Sequence, residues 1–148
     1  MTKSRKRTVE LYIPSELGYE KVALASAASV ARKMGFSPDR VEDLKTALAE
    51  ACINAIEHGS RQDAEANVLV MLTAEDSRLQ IDVRDEGRQA IPADVAVPSI
   101  AERIAGQSPA RGWGMFLIKS LMDEVEFTSA TDGGNEVRMV IHLEKHDT

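Results

Sequence analysis

Three short stretches of the chain hold side chains whose types and spacing could do chemistry. Glu50 and Asn54 stand four positions apart in an Ala-rich run, so on a helix they project together one turn apart. The carboxylate can accept a proton, and with the amide oxygen it offers hard ligands of the kind Mg²⁺ takes alongside phosphates. The plain alternative is two solvated side chains on an exposed edge. Next comes Ile81-Asp82-Val83-Arg84-Asp85-Glu86-Gly87. Strand alternation puts Ile81, Val83 and Asp85 on one face, with Asp82 and Arg84 on the other. A carboxylate of buried parity at a strand end needs a donor, and an adenine amino group would serve; an ordinary Asp-Glu-Gly turn is the alternative. Third, Arg111-Gly112-Trp113-Gly114 precedes an apolar helical run. Glycines immediately before a helix bare the backbone amides that favour phosphate oxygens, and Arg111 adds a mobile cation. Alone, that stretch reads equally as a hinge. The spacings of a P-loop and of a dinucleotide-binding turn are both missing.

The elements that must position these residues follow from periodicity. Residues 8–13 alternate as a half-buried strand that Pro14 stops. An Ala-rich helix over 16–34 runs into Gly35, and Ser37-Pro38 opens a second helix over about 39–58 that Gly59 closes. On that second helix the apolar side chains of Leu44, Leu48, Ala51, Cys52, Ile53, Ala55 and Ile56 cover an arc of about 200°. The polar remainder, Glu50, Asn54, Glu57 and His58, is left facing a cleft; His58 reads as structural. Runs at 66–74 and 79–85 form a hairpin. Residues 86–110 contain three prolines and no sustained period, the pattern of a lid or binding loop, with one or two helical turns near 99–104. Helical patterning resumes over 114–122, and strands over 125–130 and 136–143 are joined through Gly133-Gly134. The order β, α, α, β, β, loop, α, β, β implies an α+β sandwich with helices on one face of a sheet.

Composition bounds the possibilities. A chain of 148 residues with 43% hydrophobic and 28% charged residues fits one globular domain. A net charge of −6 argues against direct nucleic-acid binding. Lys3, Arg5, Lys6 and Arg7 make residues 1–7 a basic, solvated tail. Cys52 is the sole cysteine, which precludes an internal disulfide and favours a reducing, cytoplasmic setting; within its apolar run it reads as core. Metal-ligand spacing of His and Cys is missing, as are the apolar stretches of a secretory signal and of a membrane-spanning helix.

The ordered combination is more specific than its parts. Glu50-Ala-Cys-Ile-Asn54-Ala-Ile-Glu-His58-Gly59, then Asp85-Glu-Gly87, a long loop, and Arg111-Gly-Trp-Gly114-Met-Phe-Leu-Ile resembles the Bergerat-type (GHKL) ATP-binding fold, and in particular its small branch of anti-sigma-factor serine kinases. The resemblance spans the chain from the first strand to the last. It implies a two-layer sandwich with a mixed, mainly antiparallel sheet, a histidine-kinase-like ATP-binding domain over 8–144, a lid over about 86–111, and a C-terminal tail from 145. It also implies ATP or ADP with Mg²⁺, Glu50 as general base, Asn54 as magnesium ligand and Asp85 as adenine reader. Gly87 would let the base approach, Gly112, Gly114 and Met115 would contact nucleotide, and Arg111 would balance γ-phosphate charge. The implied partners are a sigma factor, an anti-anti-sigma antagonist of the STAS type that is phosphorylated on serine, and a second copy in a homodimer.

One departure stands out. The family reads Asp-x-Gly-x-Gly, whereas here Gln89 follows Asp85-Glu86-Gly87-Arg88. Glycine reaches positive φ without steric cost, so its replacement is expected to weaken lid ordering and turnover more than nucleotide binding. That leaves a second reading, a nucleotide-gated binding module with weak or no catalysis. A detached histidine-kinase catalytic domain fits less well, because His142 falls in the last strand and His146 in the tail.

Overall fold

The computed structural model describes residues 5–59, 65–86, 110–129 and 134–143. Strand β1 (Arg7–Pro14) leads to helices α1 (Glu20–Met34) and α2 (Pro38–Asn54), which a single π-helical turn (Ala55–Gly59) extends. Then come β2 (Asn67–Glu75), β3 (Arg78–Arg84), α3 (Ala110–Leu121), β4 (Glu124–Ser129) and β5 (Asn135–His142). The strands form one sheet in the order β1-β2-β3-β5-β4. Every pairing among the described strands is antiparallel, so the mixed sheet that the resemblance implies reduces here to an antiparallel one.

One parity of each strand builds the core. Register aligns Val70 with Val83 and Val83 with Val137, and aligns Leu72, Ile81, Met139 and Val125 in a row across four strands. These side chains, with Ile13, Val68, Leu79 and Ile141, pack against the helices. The opposite parity carries Thr8, Glu10, Tyr12, Gln80, Asp82, Arg84 and Arg138, charged or polar side chains that suit a face without helices. On that face Arg138 Nε donates to Asp82 Oδ1 at 2.8 Å, and Gln80 Nε2 donates to Asp82 Oδ2 at 2.9 Å.

Local chemistry sets the helix ends. Helix α1 starts at Glu20 and not at residue 16, because Gly18 at φ 108° turns the chain first. It buries Ala23, Ala27, Ala28 and Ala31, small residues that let it sit close to α2. Gly35, at φ 101°, ends α1, its N–H and that of Phe36 both donating to Ala31 O. The Ser37 hydroxyl caps α2 by accepting from Arg40 N at 3.2 Å, with Pro38 in the first turn. Helix α2 buries Val41, Leu44, Ala47, Leu48, Ala51 and Cys52, while Ile53 is only partly covered. Helix α3 begins four residues before the expected start at 114, so Gly112 lies inside it rather than ahead of it and Gly114 sits a full turn in. Trp113 and Phe116 stack at a tilt on it, their ring centroids 5.3 Å apart.

Candidate functional site

The polar stripe of α2 meets the glycine of α3. A Cβ added to Gly114 would stand 2.6 Å from Glu50 Oε2 and 3.3 Å from Asn54 Nδ2. Any side chain at 114 would therefore push against both groups, and glycine is what lets the two helices approach here. The lack of a side chain was expected to bare amides at a helix start; its observed effect is this close approach. Asn54 is the last residue of α2, where the backbone widens into the π-helical turn. Such widened turns recur at functional sites because they re-aim side chains that a regular helix would hold in register.

Strand β3 delivers Asp85 to the same place from the sheet. Asp85 is only 6% exposed, and Asn135 of the neighbouring strand bonds its side chain twice and its backbone once. Asn135 donates to Asp85 Oδ1 from its backbone N at 3.3 Å and from its Nδ2 at 3.4 Å, while Asp85 N donates to Asn135 O at 3.0 Å. Asp85, Asn54 and Met115 together line a narrow cavity with Asn135, Val83 and Val137. Its volume is about 10 Å³, near the least that holds one water. A wider cleft of about 370 Å³ opens on the helix-free side of Asp85, between Tyr12, Asn67, Leu69, Arg84 and Glu86. Among the described residues, no α2 or α3 side chain lines it, whereas the narrow cavity is lined from both helices and from the sheet.

The structure thus brings four of the predicted residues together, Asn54, Asp85, Gly114 and Met115, with Glu50 against Gly114. Gly87 and Gln89 lie outside the described residues, as does the lid over 87–109. Arg111 and Gly112 fall in the first turn of α3, where only the backbone is described. Sequence reasoning missed Asn135, whose place opposite Asp85 follows from the β3–β5 register. Cys52 is fully buried, and burial, with the Glu20 carboxylate second, pushes its thiol up to about 12. It is core, not a nucleophile.

Among the described residues no group of three or more His, Cys, Asp and Glu side chains is arranged to hold a metal. Mg²⁺ does not require one, since it is commonly held by one or two side chains plus substrate phosphates and water. The carboxamide of Asn54, beside the cradle that a Cβ at 114 would fill, fits that limited role.

Comparison with known proteins places the whole chain. Residues 13–141 match the model of the histidine kinase-like ATPase domain. The chain belongs to that family. A serine-protein kinase RsbW of Bacillus thuringiensis is 30% identical to it, across 95% of this chain and 88% of the relative. One of the same name from Bacillus cereus is 32% identical over the same shares. The family membership therefore extends to the ATP-binding serine-protein kinases of this group. Two solved structures share the fold. The RsbU and RsbW domains of a Mycobacterium tuberculosis protein align at a TM-score of 0.68 and 16% identity, over 95% of this chain and 33% of that one. The SiaB–SiaC complex of Pseudomonas aeruginosa gives 0.65 and 15%, over 90% and 88%. None of the described helices is long and apolar enough to cross a membrane.

Proposed function

We propose that this chain is a cytoplasmic anti-sigma-factor kinase: it binds ATP or ADP with Mg²⁺, sequesters a sigma factor, and phosphorylates a STAS-type antagonist on serine. The observation that carries the reading is the meeting of Glu50 and Asn54 with Gly114, beside a cavity that Asp85 also lines. Base-reading, phosphate-facing and proton-accepting groups thereby come from three separate elements to one place. The 8–144 segment then works as a single nucleotide-binding domain.

Asp85 accepts the adenine amino group, with Asn135 holding Oδ1 so that the carboxylate keeps one orientation. Entry of the ring requires the narrow cavity to widen, which Met115 can allow because its unbranched side chain repacks readily. Gly87 lets the base come close, and Gly112 and Gly114 let the phosphates approach the α3 backbone. Bound at Asn54, Mg²⁺ would neutralise phosphate charge. Glu50 takes the proton of the antagonist's serine hydroxyl as that oxygen forms its bond to the γ-phosphorus; the bond to the bridging oxygen breaks and ADP leaves with those electrons. Arg111 balances charge on the γ-phosphate. Phosphoryl transfer depends chiefly on such positioning and electrostatics, so this small set suffices.

Protein partners and a second copy are assigned to the β1–α1 side. Among the described residues the large exposed apolar side chains are Val9, Tyr12, Leu17, Tyr19 and Val22, in β1, α1 and the turn between them, and Tyr12 is 66% exposed. Apolar exposure concentrated on neighbouring elements supports that assignment. Incubating the chain with Mg-ATP and a STAS-domain antagonist tests the reading by intact mass: a gain of one phosphate on an antagonist serine supports it. Nucleotide binding with no transfer at any antagonist concentration would instead leave a nucleotide-gated binding module, the outcome that Gln89 in place of glycine would favour.

A further inference from the structure

Helices α2 and α3 run antiparallel and touch at both ends. At one end Gly114 sits on Glu50 and Asn54. At the other, Arg40 in the first turn of α2 reaches the last turn of α3. Its Nη1 donates to Leu121 O at 3.1 Å and to Asp43 Oδ2 at 2.9 Å, and its Nη2 donates to Asp123 Oδ2 at 3.2 Å. Asp123 is itself fixed, its Oδ2 accepting from His142 N at 2.7 Å and its N donating to Val140 O at 2.9 Å. One guanidinium therefore joins α2, the C-terminal carbonyl of α3 and, through Asp123, strand β5.

We propose that Arg40 is a positioning residue for the phosphate end of the site, setting where along α2 the glycine of α3 comes to rest. Between the two ends Leu44 and Leu48 of α2 and Ile118 of α3 belong to the same apolar core, and the hydrophobic effect that buries them is non-directional. Hydrogen bonds are directional, and the orphan carbonyls of a helix C-terminus are fixed in space by whatever donates to them. Gly114 lies seven residues before Leu121, about 10 Å along a rigid helix, so a shift at the clamp is carried to the other end. The half-exposed pairing with Asp43 and Asp123 alone would add little. The bond to Leu121 O is what turns the cluster into a clamp.

This inference rests on the reading that the first turns of α3 face the phosphates, and the test separates the two. Calorimetry compares ADP with adenosine, which lacks phosphates, on the full chain and on Arg40→Met, Arg40→Lys and Asp123→Asn. Arg40→Met should weaken ADP binding by about tenfold, short of the ~10²-fold that a misplacement near 1 Å can cost, while adenosine affinity changes by less than about twofold. Arg40→Lys should fall between, since a single ammonium keeps the charge but cannot span three acceptors. Asp123→Asn should also fall between, and either milder variant carries the test should Arg40→Met fail to fold. An unchanged ADP preference in these variants, or an equal loss for both ligands, would overturn the role of Arg40 alone. A wild-type chain that binds adenosine as tightly as ADP would overturn the phosphate reading and this inference with it.

Discussion

Replacing Gly114 by alanine should separate stability from activity. A glycine inside a helix costs about 0.8–1.0 kcal/mol relative to alanine, so propensity favours the change. The new Cβ would lie 2.6 Å from Glu50 Oε2, where ordinary contact begins at 3.4 Å, so the carboxylate must retreat by about 0.8 Å. That oxygen is the far end of a flexible side chain, and displacing it costs about 0.5–1.5 kcal/mol of rotamer strain. The two effects nearly cancel, so the melting temperature should stay within about 2–4 °C of wild type. Proton abstraction does not tolerate the same displacement, since misplacing a reacting group by about 1 Å can cost about 10²-fold. Thermal unfolding and the rate of antagonist phosphorylation, measured on the same preparation, give the two readouts. Wild-type turnover would refute the reasoning by showing that Glu50 is not held where the chemistry needs it. A collapse in melting temperature would refute it by showing that the Cβ meets something less yielding than a carboxylate.

Other perturbations address other parts of the account. Asp85→Asn should weaken ADP binding by roughly 10–100-fold, as loss of a hydrogen bond to a charged group implies; unchanged calorimetry would remove Asp85 as the adenine reader. Cys52 in the native chain should resist alkylation at pH 8, because burial pushes its thiol up to about 12; rapid labelling seen by mass spectrometry would mean that the core opens there. Burial, and after it the hydrogen bond and negative charge of Asp82, raises the Glu136 carboxyl above its ordinary value, while Arg138 and Arg84 act in the opposite direction. The native chain then holds that proton more tightly than the unfolded one, so this group costs stability as pH rises through its folded value and costs nothing below its unfolded value. Glu136→Gln should accordingly raise the melting temperature at pH 7–8, with the gain shrinking as pH falls below the usual carboxylate range.

Local signals made much of this legible in the sequence. Asp85 could be assigned to the buried side because strand alternation has a period of two and Ile81 and Val83 precede it. Glu50 and Asn54 could be paired because they are one turn apart on a strongly patterned helix. The start of α3 was missed although Ser108-Pro109 repeats the Ser37-Pro38 pattern that opens α2, because Gly112 and Trp113 are weaker helix formers than the run from Met115 onward; Gly114 was therefore expected at the very start of the helix, where its close approach to Glu50 could not be seen. The start of α1 was blurred in the same way by Glu16-Leu17 ahead of Gly18. Asn135 and Arg40 are a different case. The first acquires its role through the pairing of β3 with β5 and the second through a carbonyl 81 positions away. Neither relation leaves a trace in local composition, because each is created only when the sheet and the helix layer assemble.

The central claim is that Glu50 performs chemistry beside a nucleotide that other residues hold. Single-turnover transfer from Mg-ATP to the antagonist, compared between wild type and Glu50→Ala with ADP affinity measured in parallel, tests it most directly. The account predicts transfer slower by about 10²–10⁴-fold, the usual worth of a general base, with ADP affinity nearly unchanged. Transfer at the wild-type rate, or loss of transfer and nucleotide binding in equal measure, would contradict it.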